Sequence, residues 1–149
     1  MKNKDFSKYL KMTPKQLRIR QLTRGLPMTI VGAIVFAVLY ICGQRPKNYK
    51  GICPYFEIGK SWGGVEVGWF FISCKNCGDS TKRHEVGHLV QASAFNGFVI
   101  LALSICSAVR YWWREIFGAK TPYDGWWFEG QATKIGTEYV RKIEKENKE

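Results

Sequence analysis

Apolar residues along this 149-residue chain are concentrated in two long stretches. The first, residues 26–43, carries no charged side chain and matches the roughly 17–25 residues that a helix needs to cross a bilayer. It predicts a transmembrane helix that follows a basic arm, residues 1–25. A buried core helix is one alternative. A cleaved signal peptide is the other, although the sequence around Cys42 is a poor cleavage site.

The second apolar stretch runs from Leu89 to Val109 and is interrupted by a few polar residues. The pair Asn96-Gly97 predicts a break, so that one helix ends near Ala94 and a new apolar helix covers residues 98–109. Twelve residues are short for a membrane span. They suit a re-entrant or interfacial segment, or a core helix packed against the first one.

Residues 44–83 have the composition of a β-rich region. Runs of β-branched and aromatic residues at 55–59 and 65–72 are separated by residues 60–64, which resemble a hairpin turn. The sequence does not distinguish between two roles of the predicted hairpin. It either pairs with an extended substrate chain or covers the apolar side of the next helix.

The length allows one domain with a modest core, and the pattern predicts an α+β, mainly α fold. The chain has 23 Lys and Arg against 12 Asp and Glu, a net charge of +11. Eight of these cations lie in residues 1–25, beside the first apolar stretch, which favours an anionic membrane surface as partner. No recognition motif for nucleic acid accompanies them. The aromatic and basic residues at 110–114 and 126–128 are typical either of headgroup depth or of pocket walls.

The only two histidines, His84 and His88, are four positions apart, with Glu85 beside the first. On a helix this spacing puts both imidazoles on one face, where they can hold one zinc ion with Glu85 as a general base. The alternative is a pair of solvated histidines on a helix that happens to carry a glutamate. A catalytic zinc also needs a third protein ligand and an open position for water. Glu129 is the best candidate, at the start of a helix predicted to continue to about Glu146.

The motifs His84-Glu85-x-x-His88 and Glu129-x-x-Ala132 resemble those of the gluzincin metallopeptidases. The resemblance is to the membrane-bound group that includes the CAAX prenyl endopeptidases, although this chain is far shorter. It implies a zincin-like core in residues 44–149, in which His84, His88 and Glu129 bind zinc and Glu85 activates water.

Thr133 stands where that family has an aspartate that orients a zinc ligand. The chain also resembles a set of small bacterial and phage proteins over roughly residues 55–136, a likeness that brings no assigned substrate. The shared segments are Trp62-Gly63-Gly64, His84 through Gln91, residues 107–111 and Tyr123 through Lys134.

In the implied reaction, zinc acidifies its bound water, and Glu85 takes the proton and passes it to the leaving amine of a peptide bond. An oxyanion donor is still needed. The candidates for that donor are Tyr123, Arg110 and Tyr139, of which the first two are preferred. Asp124 and Asp79 are possible acceptors for a histidine N–H, although Asp79 better suits a cap of the zinc helix.

Five cysteines complete the candidate chemistry. Cys74 and Cys77 form a C-x-x-C for which a disulfide, a redox role and a second metal site all stay open. Cys42 and Cys106 are predicted to be small buried hydrophobic residues.

The sequence therefore predicts an integral membrane zinc metallopeptidase that hydrolyses peptides or proteins, with anionic lipid as a further partner. The alternative is a non-catalytic membrane or phage accessory protein with a structural zinc site, which a fourth protein ligand would close. Substrate specificity, the membrane side of the site and the oligomeric state do not follow from the sequence.

Overall fold

Helices make up most of the chain in a computed structural model that describes residues 5–118 and 125–148, and a small sheet completes it. The predicted class, α+β and mainly α, is confirmed. The helices are α1 (Ser7–Leu10), α2 (Pro14–Arg24), α3 (Leu26–Ile41), α4 (Asp79–Ala94), α5 (Gly97–Phe117) and α6 (Trp127–Glu146). The strands are β1 (Lys47–Tyr49), β2 (Cys53–Glu57), β3 (Gly64–Val67) and β4 (Phe70–Ser73).

The sheet has the order β1-β2-β4-β3, with β2 and β4 parallel and the other two pairs antiparallel. The predicted hairpin between 55–59 and 65–72 is therefore wrong. The second run contains a turn of its own, because Gly68 adopts a φ of +74° that few other residues tolerate. This turn splits the run into β3 and β4, and it leaves β3 as an edge strand that packs against α4.

Helix α4 is the centre of the molecule, with α2, α6 and the sheet packed around it. The described part of the basic arm joins this core. Gln21 on α2 donates a hydrogen bond from Nε2 to the carbonyl of Leu89, and Arg20 donates from Nε to the carbonyl of Ser93. Because both carbonyls lie in the last two turns of α4, these bonds hold that part of the helix against α2.

The predicted break at Asn96 is confirmed. Helix α4 ends at Ala94, and the Asn96 side chain caps α5 by accepting a hydrogen bond from the backbone N–H of Phe98 at 3.0 Å. Helix α5 is longer than predicted and continues past 109 through the aromatic and basic segment to Phe117. It ends at Gly118, which takes the left-handed conformation typical of a helix C-terminus.

The first apolar stretch forms α3, a helix of 16 residues. At 1.5 Å per residue it is about 24 Å long, against roughly 30 Å for the hydrocarbon core of a bilayer. Over residues 5–118 and 125–148, no single helix is both long and apolar enough to span a membrane. Helices α2 and α3 reach the required length together, but they meet at a bend of 105°.

The cysteines differ in their surroundings. Cys74 and Cys77 form a disulfide just before α4, which is one of the alternatives that the sequence left open for this pair. The backbone N–H of Cys74 donates to the carbonyl of Gly63, so this segment lies against the start of β3. Cys53 is buried, whereas Cys42 and Cys106 are exposed. The prediction that Cys42 and Cys106 are buried is wrong, because they lie on sides of the chain that face away from the core.

Candidate metal centre

Three potential ligands from two helices meet at one point. His84 and His88 lie one turn apart on α4, and Glu129 lies in the first turn of α6, directly across from them. The Oε2 atom of Glu129 is 3.0 Å from Nε2 of His84 and 3.2 Å from Nε2 of His88, and the two Nε2 atoms are 3.1 Å apart. The residues that the sequence nominated as metal ligands are thus brought together.

The donor set fits zinc, which binds imidazole nitrogen and carboxylate oxygen at about 2.0–2.2 Å. Three donor atoms roughly 3 Å apart can all contact one ion of that size. No fourth Cys, His, Asp or Glu joins this group within the part of the chain that the structure describes. The arrangement is therefore that of a three-ligand site with room for a further ligand.

Both imidazoles are oriented by hydrogen bonds at their far nitrogens. Nδ1 of His84 lies 2.8 Å from Oγ1 of Thr133, and Nδ1 of His88 lies 2.9 Å from Oε1 of Gln91. Because a carboxamide oxygen only accepts, Nδ1 of His88 carries a proton that it donates to Gln91, and this contact turns Nε2 toward Glu129. Thr133 on α6 therefore fixes the ring orientation of His84 across the interface between α4 and α6.

Asp79 was a candidate for histidine orientation or helix capping, and it does neither. The cap position of α4 is Gly78, and no side chain caps the helix there. The Asp79 carboxylate instead accepts hydrogen bonds from Tyr49, Lys50 and Arg83. These contacts tie the first turn of α4 to the end of β1. The other candidate, Asp124, lies outside the described residues.

Glu129 is completely buried, and its neighbours favour the ionised carboxylate. Burial alone would raise the pKa of its carboxyl group, but hydrogen bonds with His84, His88 and Ser107 outweigh that effect and hold the pKa well below its usual range. The Ser107 hydroxyl on α5 donates to Oε1 of Glu129 at 2.5 Å. In turn, although burial lowers the pKa of His88, the Glu129 carboxylate raises it to about 9.

Glu85 lies beside the ligands without joining them. Its side chain is 3% exposed, and its Oε2 has no hydrogen-bond partner within the described residues. Burial raises the pKa of its carboxyl group, against the lowering effect of His88 and His84 and of the backbone N–H of Glu66, which donates to it. A Cβ at Gly64 would come within 2.6 Å of Glu85 Oε1, so this glycine makes the space that the carboxylate occupies.

A cavity of about 690 Å³ borders two of the three candidate metal ligands. Its walls come from β3 and the loop before it, α4, α5 and the first turns of α6. Tyr111 on α5 donates a hydrogen bond to the carbonyl of Trp62 in that loop, which joins two of these walls. His84, Glu85 and His88 are among the lining residues. A small molecule or an extended chain segment can therefore reach these three side chains.

The predicted oxyanion donors have different locations. Arg110 is partly buried on α5 and is absent from the cavity lining, while Arg114, one turn further along, lines the cavity. Tyr139 is buried elsewhere and donates a hydrogen bond to the carbonyl of Met12. Tyr123 lies outside the described residues.

Several residues of the site were not predicted as such. Gln91 lies three residues after His88, so its helical spacing was a usable signal. Ser107 and Glu66 reach the site from α5 and β3, and nothing in their local sequence indicates that contact.

Helices α4 and α6 cross at two glycines, which sets the distance between the histidines and Glu129. A Cβ at Gly136 would lie 1.8 Å from the carbonyl oxygen of Arg83, and one at Gly87 would lie 1.9 Å from that of Ala132. No side chain fits at either position. The two glycines let the backbones approach closely enough for Glu129 to reach both imidazoles.

No family model matches the chain, and no curated protein and no solved structure matches it either.

Proposed function

We propose that this protein is a zinc-dependent metallopeptidase of the gluzincin kind that hydrolyses peptide bonds at a membrane. The observation that carries the proposal is the convergence of His84, His88 and Glu129 on one side of a cavity that also contains Glu85. A metal held by two imidazoles and one carboxylate is the arrangement of catalytic zinc sites that keep a position open for water.

The roles of the side chains follow from their positions. Zinc, when bound, supplies a Lewis acid that acidifies water and polarises the scissile carbonyl. Glu85 accepts the proton of the attacking water and returns it to the leaving amine, because its carboxylate faces the cavity with one oxygen free of other partners in the described structure. Thr133 and Gln91 hold the imidazoles in the orientation that directs Nε2 to the metal. Arg110 and Tyr123 stay proposals for the oxyanion donor.

The alternative is an accessory protein with a structural zinc. A structural zinc site is normally closed by a fourth protein ligand. The described residues bring none to this group, and the cavity gives access to it. These two observations favour hydrolysis over a structural role.

The proposal is tested by metal analysis and peptide cleavage on the same preparations. We expect about one zinc per wild-type chain and cleavage of a mixed peptide library that stops on chelation and returns with added zinc. Glu129→Ala removes one of three ligands and should lose most of the metal. Lys134→Ala, an exposed residue on the same helix, is the control and should keep it. If the wild-type protein binds no zinc, or binds zinc but cleaves no peptide of the library, the proposed peptidase function is wrong.

The membrane location rests on apolar side chains that α3 and α5 leave exposed while they pack against each other. A soluble protein rarely exposes so large an apolar patch unless a partner covers it. Tryptophans beside arginines on α5 are typical of headgroup depth, and the net charge of +11 suits anionic lipid. We call this surface the apolar face. Its members are Leu26, Ile30, Ile34, Val38 and Ile41 on α3, and Phe98, Ile105, Val109, Trp112, Trp113, Ile116 and Phe117 on α5.

We expect the protein to bind vesicles that contain anionic phosphatidylglycerol more tightly than neutral phosphatidylcholine vesicles. The double variant Ile105→Ser/Ile116→Ser should bind at least about tenfold more weakly, because each isoleucine loses roughly 1.5–3 kcal/mol of burial when it no longer enters lipid. Val65→Ser, an exposed apolar residue on β3 outside the apolar face, is the matched control. Cosedimentation measures the binding. If the protein forms a stable dimer and binds neither kind of vesicle, the apolar face is covered by a second copy of the chain and the membrane proposal is wrong.

A further inference from the structure

Glu66 on β3 is a buried carboxylate that the proposed hydrolysis does not use. Its side chain is 4% exposed, and its Oε1 is buried without a hydrogen-bond partner in the described part of the chain. The backbone N–H of Gly68 donates to the carboxylate, but no described lysine or arginine neutralises it. A carboxylate in this state is costly, since a buried charge normally has a charged or hydrogen-bonding partner.

The surroundings of Glu66 connect it to the reaction site. It lines the same cavity as Glu85 and His88. Alternate residues of a strand point to the same face, so Glu66 faces the same way as Gly64, which lies against the Glu85 carboxylate. Burial raises the pKa of Glu66 to about 8; His88 opposes the rise, and the nearby Glu85 adds to it. A cation placed there would restore the ionised form.

The position of the free oxygen indicates the kind of cation. This oxygen is fully buried in a residue that lines the cavity, so a cation that pairs with it must be small and must leave its water behind. A primary ammonium offers three N–H donors on a compact charge and can bind one carboxylate oxygen end-on. A guanidinium is broader and prefers two carboxylate oxygens side by side, one of which is already engaged by Gly68.

We propose that Glu66 is a specificity-determining residue that binds a primary ammonium group of the peptide substrate, from either a free N-terminus or a lysine side chain. The proposal rests on the proposed peptidase function. In this proposal Glu66, near Glu85, makes a second contact with the substrate and determines which peptides bind in the cavity.

Peptide binding to zinc-loaded Glu85→Gln protein tests the proposal, because binding is then measured without turnover. One arm compares a peptide with its N-acetylated form, and the other compares a lysine peptide with its norleucine analogue. In at least one arm the ammonium peptide should bind about 10–100-fold more tightly, as expected for a hydrogen bond between charged groups. Adding Glu66→Gln should abolish that difference, whereas adding Glu115→Gln, an exposed carboxylate in the cavity wall, should preserve it.

The glutamine variant is expected to fold, because it replaces a buried carboxyl group that lacks a charged partner in the described residues by a neutral amide of nearly the same shape. Its Tm should equal or exceed that of the wild type, which separates loss of selectivity from loss of structure. Equal affinity for ammonium and neutral peptides in both arms would overturn the role of Glu66 even if wild-type cleavage is intact. Selective binding that is lost in Glu66→Gln would support the role of Glu66 even if the wild type cleaves no peptide. The lack of cleavage would then contradict only the proposed peptidase function.

Discussion

Glu85→Gln should lower kcat for peptide cleavage by about 10²–10⁴-fold, the usual contribution of a general base, while bound zinc stays at the wild-type level. The amide has nearly the same shape as the carboxylate, but it cannot take a proton from water. Glu85 lies outside the group of three ligand atoms, so the metal keeps all its protein contacts. The loss corresponds to about 3–5 kcal/mol of transition-state stabilisation.

The measurement is steady-state cleavage of a fluorogenic peptide together with zinc content on the same samples. Glu138→Gln is the control, since that glutamate is exposed on α6 and does not line the cavity. If Glu85→Gln loses its zinc, the residue supports the metal rather than the proton transfer. If it retains full activity, another group activates the water and the assigned role is wrong.

The local part of the site could be predicted from the sequence because helical spacing determines it. His84 and His88 are neighbours on any helix that contains both, and the Asn96-Gly97 signal gives the end of that helix correctly. The third ligand was predicted from the need for a carboxylate and from family resemblance. Its position opposite the histidines depends on how α4 and α6 cross, which spacing along the chain does not describe.

The sheet and the outer parts of the site could not be predicted in the same way. An unbroken run of strand-forming residues conceals the turn at Gly68, whose positive φ appears only in three dimensions. The hydrogen bond from Ser107 to Glu129 joins residues on different helices, so the spacing of residues along the sequence does not predict it. The exposure of Cys106 depends on which side of α5 faces the core.

Gly136→Ala should destabilise the protein by about 3 kcal/mol and weaken zinc binding by about tenfold or more, although alanine favours helix over glycine by about 1 kcal/mol. Steric overlap decides whether the substitution stabilises or destabilises the protein. A Cβ at position 136 would lie 1.8 Å from the carbonyl oxygen of Arg83. A rotamer change cannot relieve this overlap, because the carbonyl oxygen belongs to the backbone. The helices must separate, and the separation moves Glu129 away from the two imidazoles.

Thermal unfolding with and without zinc measures both effects, because a ligand that binds only the folded state raises Tm according to its affinity. Gly87→Ala should behave like Gly136→Ala, since its Cβ meets α6 at the same crossing. Gly125→Ala is the control, as a Cβ there meets no atom of the described residues within 4 Å. A Gly136→Ala protein that is more stable than the wild type and binds zinc equally well would mean that helix propensity outweighs the contact. The close crossing would then not be what sets the ligand geometry.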